Sequence, residues 1–396
     1  MELSCLFVNY NSWRLLADAL ASLEQHPPVD REARPIRYEV VVVDNASPTD
    51  DPRARAAVEA AIARLGGQLV LHAANGGYAQ GMNLAYRHSR GRLLLASNPD
   101  VLFTGGAVSR LVHAFDAQPG LGAVAPAVYG DPGLLVQMPI HILPSLRDLL
   151  GATLATLSVS ANRRYSRRRL QAALAVWTRT DDVDEPMFGG CCFLTSREVI
   201  AQIGFFDAEY PLYFEDTDLS LRMRQAGLRI RRIAGARIVH LYDRSAATQR
   251  DEAMARHRAS RRRFFAKWHG GSGRLAVAFT TWLLESRLGR ALARRVAAQP
   301  TRALAFDADG LELRLPHACA RFVVEIAFEP FLMLAAATFG SGDRWLPSDT
   351  IRRELRREAW FRVVDLTGRV PVELGRWHYP GPRPDRMAVP TREATP

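Results

Sequence analysis

The run Leu93-Leu94-Leu95-Ala96-Ser97-Asn98-Pro99-Asp100-Val101 constrains this chain more than any other stretch. A continuous apolar segment bounded by turn residues reads as a strand buried on both faces of a sheet, and the proline ends its ladder. Ligands of open α/β sheets sit in the crevice outside the carboxyl ends of the strands, so Asp100 stands where a metal or a phosphate-bearing group is held. Asn, Pro and Asp also build ordinary turns, and on this segment alone the turn is the stronger reading. Other strand ends in the first 240 residues shift that balance, because they carry polar residues in the same way.

Leu3 to Val8 reads as a first strand, with Asn9-Tyr10-Asn11-Ser12 as its polar end and a helix after it carrying Leu16, Ala19, Leu20 and Leu23 at helical spacing. Tyr38 to Val43 is a second strand ending at Asp44-Asn45-Ala46-Ser47-Pro48, and Gln68 to Leu71 a third. Asn75-Gly76-Gly77-Tyr78 opens the next helix, which carries Gly81 and Asn83, and the Leu93 run follows as the fourth strand. Strands and helices alternating at this length predict a mostly parallel sheet with right-handed crossovers. Gly122 to Val128 adds a fifth strand, and residues 133–185 read as a variable helical insertion with basic and acidic runs. A strand is expected over Met187 to Leu194, its paired Gly189 and Gly190 admitting a ligand close to the backbone. Gly204-Phe205-Phe206-Asp207 and the acidic Glu215-Asp216-Thr217-Asp218 precede a helix ended by Gly227; two short strands then close the unit at Ile238-Val239-His240. Beyond it the expectation is a basic helical segment over 244–300, a small β-rich domain over 301–380, with a turn at Asp309-Gly310, and a flexible tail over 381–396.

A chain of 396 residues holds more than one average domain. Its net charge of +11 is carried by arginine, with Lys267 the single lysine, which suits phosphate groups or anionic lipid. The interleaving of bases and aromatics that marks a nucleic-acid module is missing, so nucleic acid is not an expected partner. Cys5, Cys191, Cys192 and Cys319 show neither metal-ligand nor disulfide-framework spacing and read as reduced thiols, which points to the cytoplasm. No signal peptide and no membrane-spanning run is expected, the longest apolar stretch lying near Leu275 to Leu284. Phe264, Phe265, Trp268, Phe279 and Trp282 among the arginines of 251–300 make a peripheral contact with an anionic membrane a candidate, against the stronger reading of helices packed on the first domain.

Chemically, Asp44 beside Asn45 and Ser47 is able to accept hydrogen bonds from a ribose or a base edge, although an Asx turn explains the same residues. Asp100 with His240 would hold Mg²⁺ or Mn²⁺ against a diphosphate. Glu215, Asp216 and Asp218 at a loop-to-helix junction raise one another's pKa, as a general base requires; helix-terminal electrostatics alone accounts for them equally well.

With these segments in place, residues 3 to about 243 resemble family 2 of the inverting nucleotide-sugar glycosyltransferases, of GT-A fold, and most closely its rhamnosyltransferase-like branch. The ordered series carries the likeness: Val8-Asn9-Tyr10-Asn11-Ser12, Val43-Asp44-Asn45-Ala46-Ser47, Asn75-Gly76-Gly77-Tyr78 with Gly81 and Asn83, Asn98-Pro99-Asp100, Gly189-Gly190-Cys191, Gly204-Phe205-Phe206-Asp207, Tyr213 to Leu219 with Arg222, and Val239-His240. The resemblance implies a metal-dependent enzyme that takes a nucleoside diphosphate sugar, dTDP-rhamnose being one candidate, and glycosylates a glycan or lipid-linked acceptor in bacterial surface polysaccharide synthesis at the inner face of the membrane. It implies donor contacts from Asn9, Tyr10, Asn11, Asp44, Asn45, Asn75, Gly76, Asn83, Asn98 and Gly190. It further implies metal ligation by Asp100 and His240, Asp216 as general base and Glu215 as the residue positioning the acceptor. Asn98 stands where the metal motif usually opens with an acid, leaving Asp100 its only charged ligand. Two other readings stay open: a nucleotidyltransferase, against which the first loop is neither glycine-rich nor basic, and a carbohydrate-binding scaffold without turnover, against which Asp100, Asp216 and His240 are intact.

Overall fold

The computed structural model describes residues 1–48, 51–241, 250–303, 305–307, 310–348, 351–352, 355 and 358–381. The expected tail and the Asp309 turn position therefore lie outside the described residues, Gly381 apart. The chain divides into two compact units: residues 1–130, 140–149 and 175–281 form the first, and residues 131–139, 150–174 and 282–396 the second. The sequence segments expected at 1–243, 244–300 and 301–380 map onto these unevenly, because the insertion sends residues 150–174 into the second unit.

The first unit is built on β1 (Leu3–Asn9), α1 (Trp13–Gln25), β2 (Tyr38–Asp44), α2 (Pro52–Arg64), β3 (Gln68–Leu71), α3 (Gly77–His88), β4 (Leu93–Ser97), β5 (Val101–Phe103), α4 (Ala107–Asp116) and β6 (Leu121–Tyr129). The insertion supplies α5 (Leu146–Leu157) and α6 (Val159–Trp177), and then come β7 (Val183–Asp184), β8 (Cys192–Ser196), α7 (Arg197–Ile203), α8 (Glu215–Gln225), β9 (Arg229–His240) and α9 (Arg250–Glu285), which is broken at Gly270 with φ 56° and ψ −136°. The sheet order is β3-β2-β1-β4-β8-β6-β9-β5, with β7 on β9. It is a mixed α/β architecture: β1, β2, β3 and β4 run parallel, as do β6 and β9, while β8 lies antiparallel to both β4 and β6.

The alternation of side chains along a strand assigns two cores. Leu3, Cys5, Phe7, Val40, Val42 and Leu95 face α1, α2 and α4. Leu6, Val8, Val41, Val43 and Leu94 face α3, α7 and α8. Both faces are covered, which is why the parallel strands read as unbroken apolar runs.

Several expectations need correction. The strand expected from Met187 begins only at Cys192; the Gly190 N–H that would extend it donates to the Asp216 carboxylate instead. The two short strands before His240 are one, β9, and the short β5 was not anticipated because three residues carry no periodicity. Phe264 and Phe265 are buried with Tyr210 and Val277, as the packed reading of this segment expects, whereas Phe279 and Trp282 are exposed. Among the described residues no helix is long and apolar enough to cross a membrane.

The second unit continues with α10 (Arg287–Ala297), β10 (Arg302–Ala303), β11 (Ala305–Asp307), β12 (Gly310–Ala327), β13 (Ala336–Trp345), β14 (Ala359–Asp365) and β15 (Val372–Tyr379). Its sheet runs β10-β15-β14-β12-β11, with β13 on β12. The strands expected at Leu311–Leu315 and Phe322–Phe328 are one long β12 whose pairing shifts register around Cys319. Arg362, buried in this unit, donates from Nε to Glu325 at 2.6 Å and from Nη1 to Ser166 of α6 at 2.8 Å. Removing one partner of a buried ion pair strands the other charge, so Arg362→Ala should lower stability by about 3–5 kcal/mol. Chemical denaturation checks this, and Arg362→Met with Glu325→Leu should recover most of the loss.

Candidate active site

The carboxyl ends of β1 and β2 are in register, Asn9 opposite Asp44. Asn9 Nδ2 donates to Asp44 Oδ1 at 2.8 Å. The Ser47 hydroxyl donates to the same oxygen at 2.6 Å and accepts the Asn11 N–H at 2.8 Å, so the loops after both strands are tied together. Asn11 turns the chain with φ 56°, a conformation that asparagine tolerates. Asn9, Asp44 and Asn45 are buried, whereas Tyr10 and Asn11 stand half-buried at the rim.

Asn45 extends the cluster to the next loop. Its Nδ2 donates to Asn75 Oδ1 at 2.9 Å and to the Gly77 carbonyl at 3.0 Å, and its Oδ1 accepts the Gly76 N–H at 3.2 Å. His72 Nδ1 lies 3.1 Å from that oxygen, a contact no motif announced. Asn83 bonds the next loop: its amide donates to the Phe206 carbonyl at 2.8 Å and accepts the Phe206 N–H at 3.1 Å. It clamps α3 to the Gly204–Asp207 loop.

Asp100 and His240 meet at the ends of β5 and β9. His240 Nε2 lies 3.2 Å from Asp100 Oδ1, yet that buried oxygen receives no hydrogen bond. A buried carboxylate oxygen without a donor costs free energy unless something else completes it. An imidazole nitrogen and a carboxylate oxygen converging in this way form a donor set that a divalent cation fits. Asn98 sits beside them, its N–H donating to the Cys191 carbonyl at 2.8 Å.

That backbone bond brings in the glycine pair. The Gly190 N–H donates to Asp216 Oδ2 at 2.9 Å, and its carbonyl accepts the Tyr78 hydroxyl at 3.1 Å. A Cβ on Gly190 would stand 3.1 Å from Asp216 Oδ2, and one on Gly189 would collide with the His141 imidazole. His141 therefore adjoins the site from the insertion, where sequence reasoning found nothing. The Cys191 thiol is pushed up to about 12 by burial and then by the charges of Asp100 and Asp216.

The three acids of the α8 junction separate into distinct roles. Asp216 accepts the Thr217 N–H at 2.7 Å on its other oxygen. Glu215 is buried with Oε2 unpartnered, and burial followed by the Asp216 charge pushes it up to about 8. Asp218 belongs to the scaffold: it accepts Arg222 Nε and Trp268 Nε1, each at 2.9 Å, and pairs with Lys267 at 2.7 Å. Arg222 in turn donates to the carbonyls of Ile203 and Gly204 at 2.8 and 2.9 Å, closing the end of α7. Among the described residues, the one convergence of three metal-capable side chains, His317, Cys319 and Asp365, lies in the second unit and matches no expected site.

Comparison with known proteins identifies the family. The family described as glycosyl transferase family 2 matches residues 4–204. N-acetylglucosaminyl-diphospho-decaprenol L-rhamnosyltransferases of two Mycobacterium tuberculosis strains, CDC 1551 and H37Rv, are 28% identical over 193 residues, covering 47% of this chain. The match spans 59% of the length of these curated relatives. Among solved structures, a mannosyltransferase from Pyrobaculum calidifontis in complex with GDP-Man and Mn²⁺ aligns with TM-score 0.43 and 18% identity, over 75% of this chain and 79% of that one. S. aureus TarS in complex with UDP-GlcNAc aligns with TM-score 0.41 and 14% identity, over 75% and 70%.

Glu215 yields a pH signature. Its pKa is raised above the ordinary 4.5, so the stability it contributes is full below that value and is lost as pH rises through about 8. Glu215→Gln cannot ionise, so its thermal midpoint should gain on the wild type between about pH 5 and about pH 9. Parallel curves for the two proteins would exclude a buried neutral carboxyl.

Proposed function

The chain belongs to glycosyl transferase family 2, and on that premise we propose an inverting transfer of a sugar from a nucleoside diphosphate donor to a hydroxyl of a lipid-linked acceptor. The observation that carries this reading is the buried Asp100 oxygen, without a hydrogen-bond donor, facing His240 Nε2 at 3.2 Å. Asp100 and His240 would hold Mg²⁺ or Mn²⁺, the imidazole favouring Mn²⁺. When bound, the ion offsets the charge of the leaving diphosphate.

The other groups follow from their surroundings. Asn9, Asp44 and Asn45 bind the nucleoside at the ends of β1 and β2, with Tyr10, Asn11, Asn75 and Gly76 completing the rim and Asn98 and Gly190 approaching the diphosphate and sugar. Asp216, oriented by the Gly190 and Thr217 N–H groups, takes the proton of the acceptor hydroxyl. Glu215, neutral near pH 7, donates a hydrogen bond to the acceptor and does not compete for its proton. The acceptor oxygen bonds to the anomeric carbon on the face opposite the diphosphate, the carbon–oxygen bond to the diphosphate breaks, and configuration inverts. The matched rhamnosyltransferases support a rhamnosyl donor, dTDP-rhamnose, and a glycan on a lipid diphosphate as acceptor. This is work for bacterial surface polysaccharide synthesis at the cytoplasmic face of the membrane.

Incubation with Mn²⁺ or Mg²⁺ and a panel of nucleoside diphosphate sugars, without acceptor, should release the nucleoside diphosphate slowly from one donor. Asp100→Ala should abolish that release; release that survives it would remove the metal assignment. With acceptor present, Asp216→Asn should reduce transfer by about 10²- to 10⁴-fold, the range of a general base, while donor binding is retained. Unchanged transfer would remove the mechanism. Gly190→Ala, which crowds Asp216, should lower kcat without altering thermal stability by more than about 1–2 kcal/mol, readable by initial rates and melting together.

A further inference from the structure

The second unit contains a cavity that no step of the transfer uses. Arg163, Arg164 and Arg167 of α6 and Arg295 of α10 line an open space of about 670 Å³. None of the four has an acidic partner among the described residues. All four are exposed, and like charges lining one concavity attract an anion to it. Arginine forks match phosphate oxygens in pairs. Two hydroxyls stand at the same wall, Ser158 and Ser160, their oxygens 3.1 Å apart where α6 begins.

The walls also say what the anion is attached to. Leu157 and Leu292 line the cavity. From Leu157, α5 continues the same helical face through Leu154 and Leu150, which are 57% and 42% exposed; from Leu292, α10 continues through Leu288, 66% exposed. Apolar stripes leading away from a basic pocket suit an amphiphile better than a free ion. A phosphodiester head group, with a single charge, satisfies one arginine fork. A diphosphate, with more charge and a ring of non-bridging oxygens, engages several.

We propose that this cavity binds the diphosphate head group of a membrane-held lipid, with the leucines of α5 and α10 lying along its apolar chain. That the lipid is the acceptor's carrier rests on the transferase reading; the binding itself does not. The test uses the full chain and neutral phosphatidylcholine vesicles doped with a polyprenyl diphosphate, compared by co-sedimentation with vesicles of equal charge made with phosphatidylglycerol. Arg163→Gln, Arg167→Gln and Arg295→Gln are combined in one variant; Arg290→Gln, Arg321→Gln and Arg344→Gln form a control that removes equal charge from elsewhere in the unit.

The pocket variant should lose at least about tenfold in affinity for the diphosphate vesicles, as expected for charge-assisted hydrogen bonds, and the control less than about twofold. The pocket variant should release nucleoside diphosphate from the donor as the wild type does, and melt at the same temperature. Equal binding to both vesicle types, or equal losses in both variants, overturns the site in favour of a general anionic surface. Inorganic pyrophosphate bound by a protein that binds no diphosphate vesicles overturns the lipid assignment. Vesicle binding absent beside intact donor release sinks this site and leaves the transferase standing; binding with no donor release does the reverse.

Discussion

The hydrogen bond from the Asn98 N–H to the Cys191 carbonyl, 2.8 Å long, is the contact on which the rest of the site depends. It exists because β8 enters the sheet antiparallel beside β4, pairing Ser97 with Cys192. An antiparallel neighbour delivers its beginning to the place where β4 delivers its end. The glycine pair before β8 therefore arrives at the carboxyl edge of the parallel strands, and through the Gly190 N–H it fixes Asp216. Were β8 parallel, its glycines would open at the opposite edge, and the Asp100 and Asp216 carboxylates would have no common neighbour in Cys191.

From that placement follows the different setting of the two adjacent acids. Glu215 and Asp216 share the first turn of α8, where the helix dipole favours negative charge. The dipole does not decide the matter, because burial outweighs it for Glu215. Its Oε2 finds no donor, while Asp216 finds two backbone N–H groups. Two carboxylates one residue apart thus meet unlike surroundings, and the buried one, Glu215, is pushed up by its burial.

Much of this was legible in the sequence, for physical reasons that differ by residue. Asp44, Asn45 and Asp100 were visible because each ends a run of apolar residues, and burial on both faces makes such runs conspicuous. Glu215 and Asp216 were visible as a cluster but not as individuals, since the difference between them is desolvation, which only packing supplies. Asp218 looked like their equal and is a scaffold residue held by Arg222, Trp268 and Lys267. The tie from Asn83 to the Phe206 backbone was not legible, because its two partners lie far apart in the chain. His141 was invisible because the insertion around it has no periodicity. The same irregularity hid that residues 150–174 fold with the C-terminal sheet: the tie from Ser166 to Arg362 spans 196 residues, beyond the reach of any local pattern.

The single lysine of this arginine-rich chain shows how tightly the junction before α8 is specified. Tyr213 and Phe214 both hold positive φ, 65° and 67°, a conformation that costs about 1 kcal/mol or more for each such side chain and persists only when its surroundings fix it. Lys267 supplies part of that fixing. Its ammonium lies 2.8 Å from Asp207 and 2.7 Å from Asp218, one carboxylate from before the strained pair and one from after it. A compact tetrahedral ammonium is able to bridge two carboxylates that point from different directions, and Arg263 brings a second cation to Asp207 at 2.9 Å. Tyr210, the residue between, closes the arrangement with its ring 5.8 Å from the same charge and its hydroxyl 3.3 Å from Asp218. The strained turn before α8, and with it the positions of Glu215 and Asp216, is in this way clasped by a cation on a separate helix, which joins the carboxylates on either side of it.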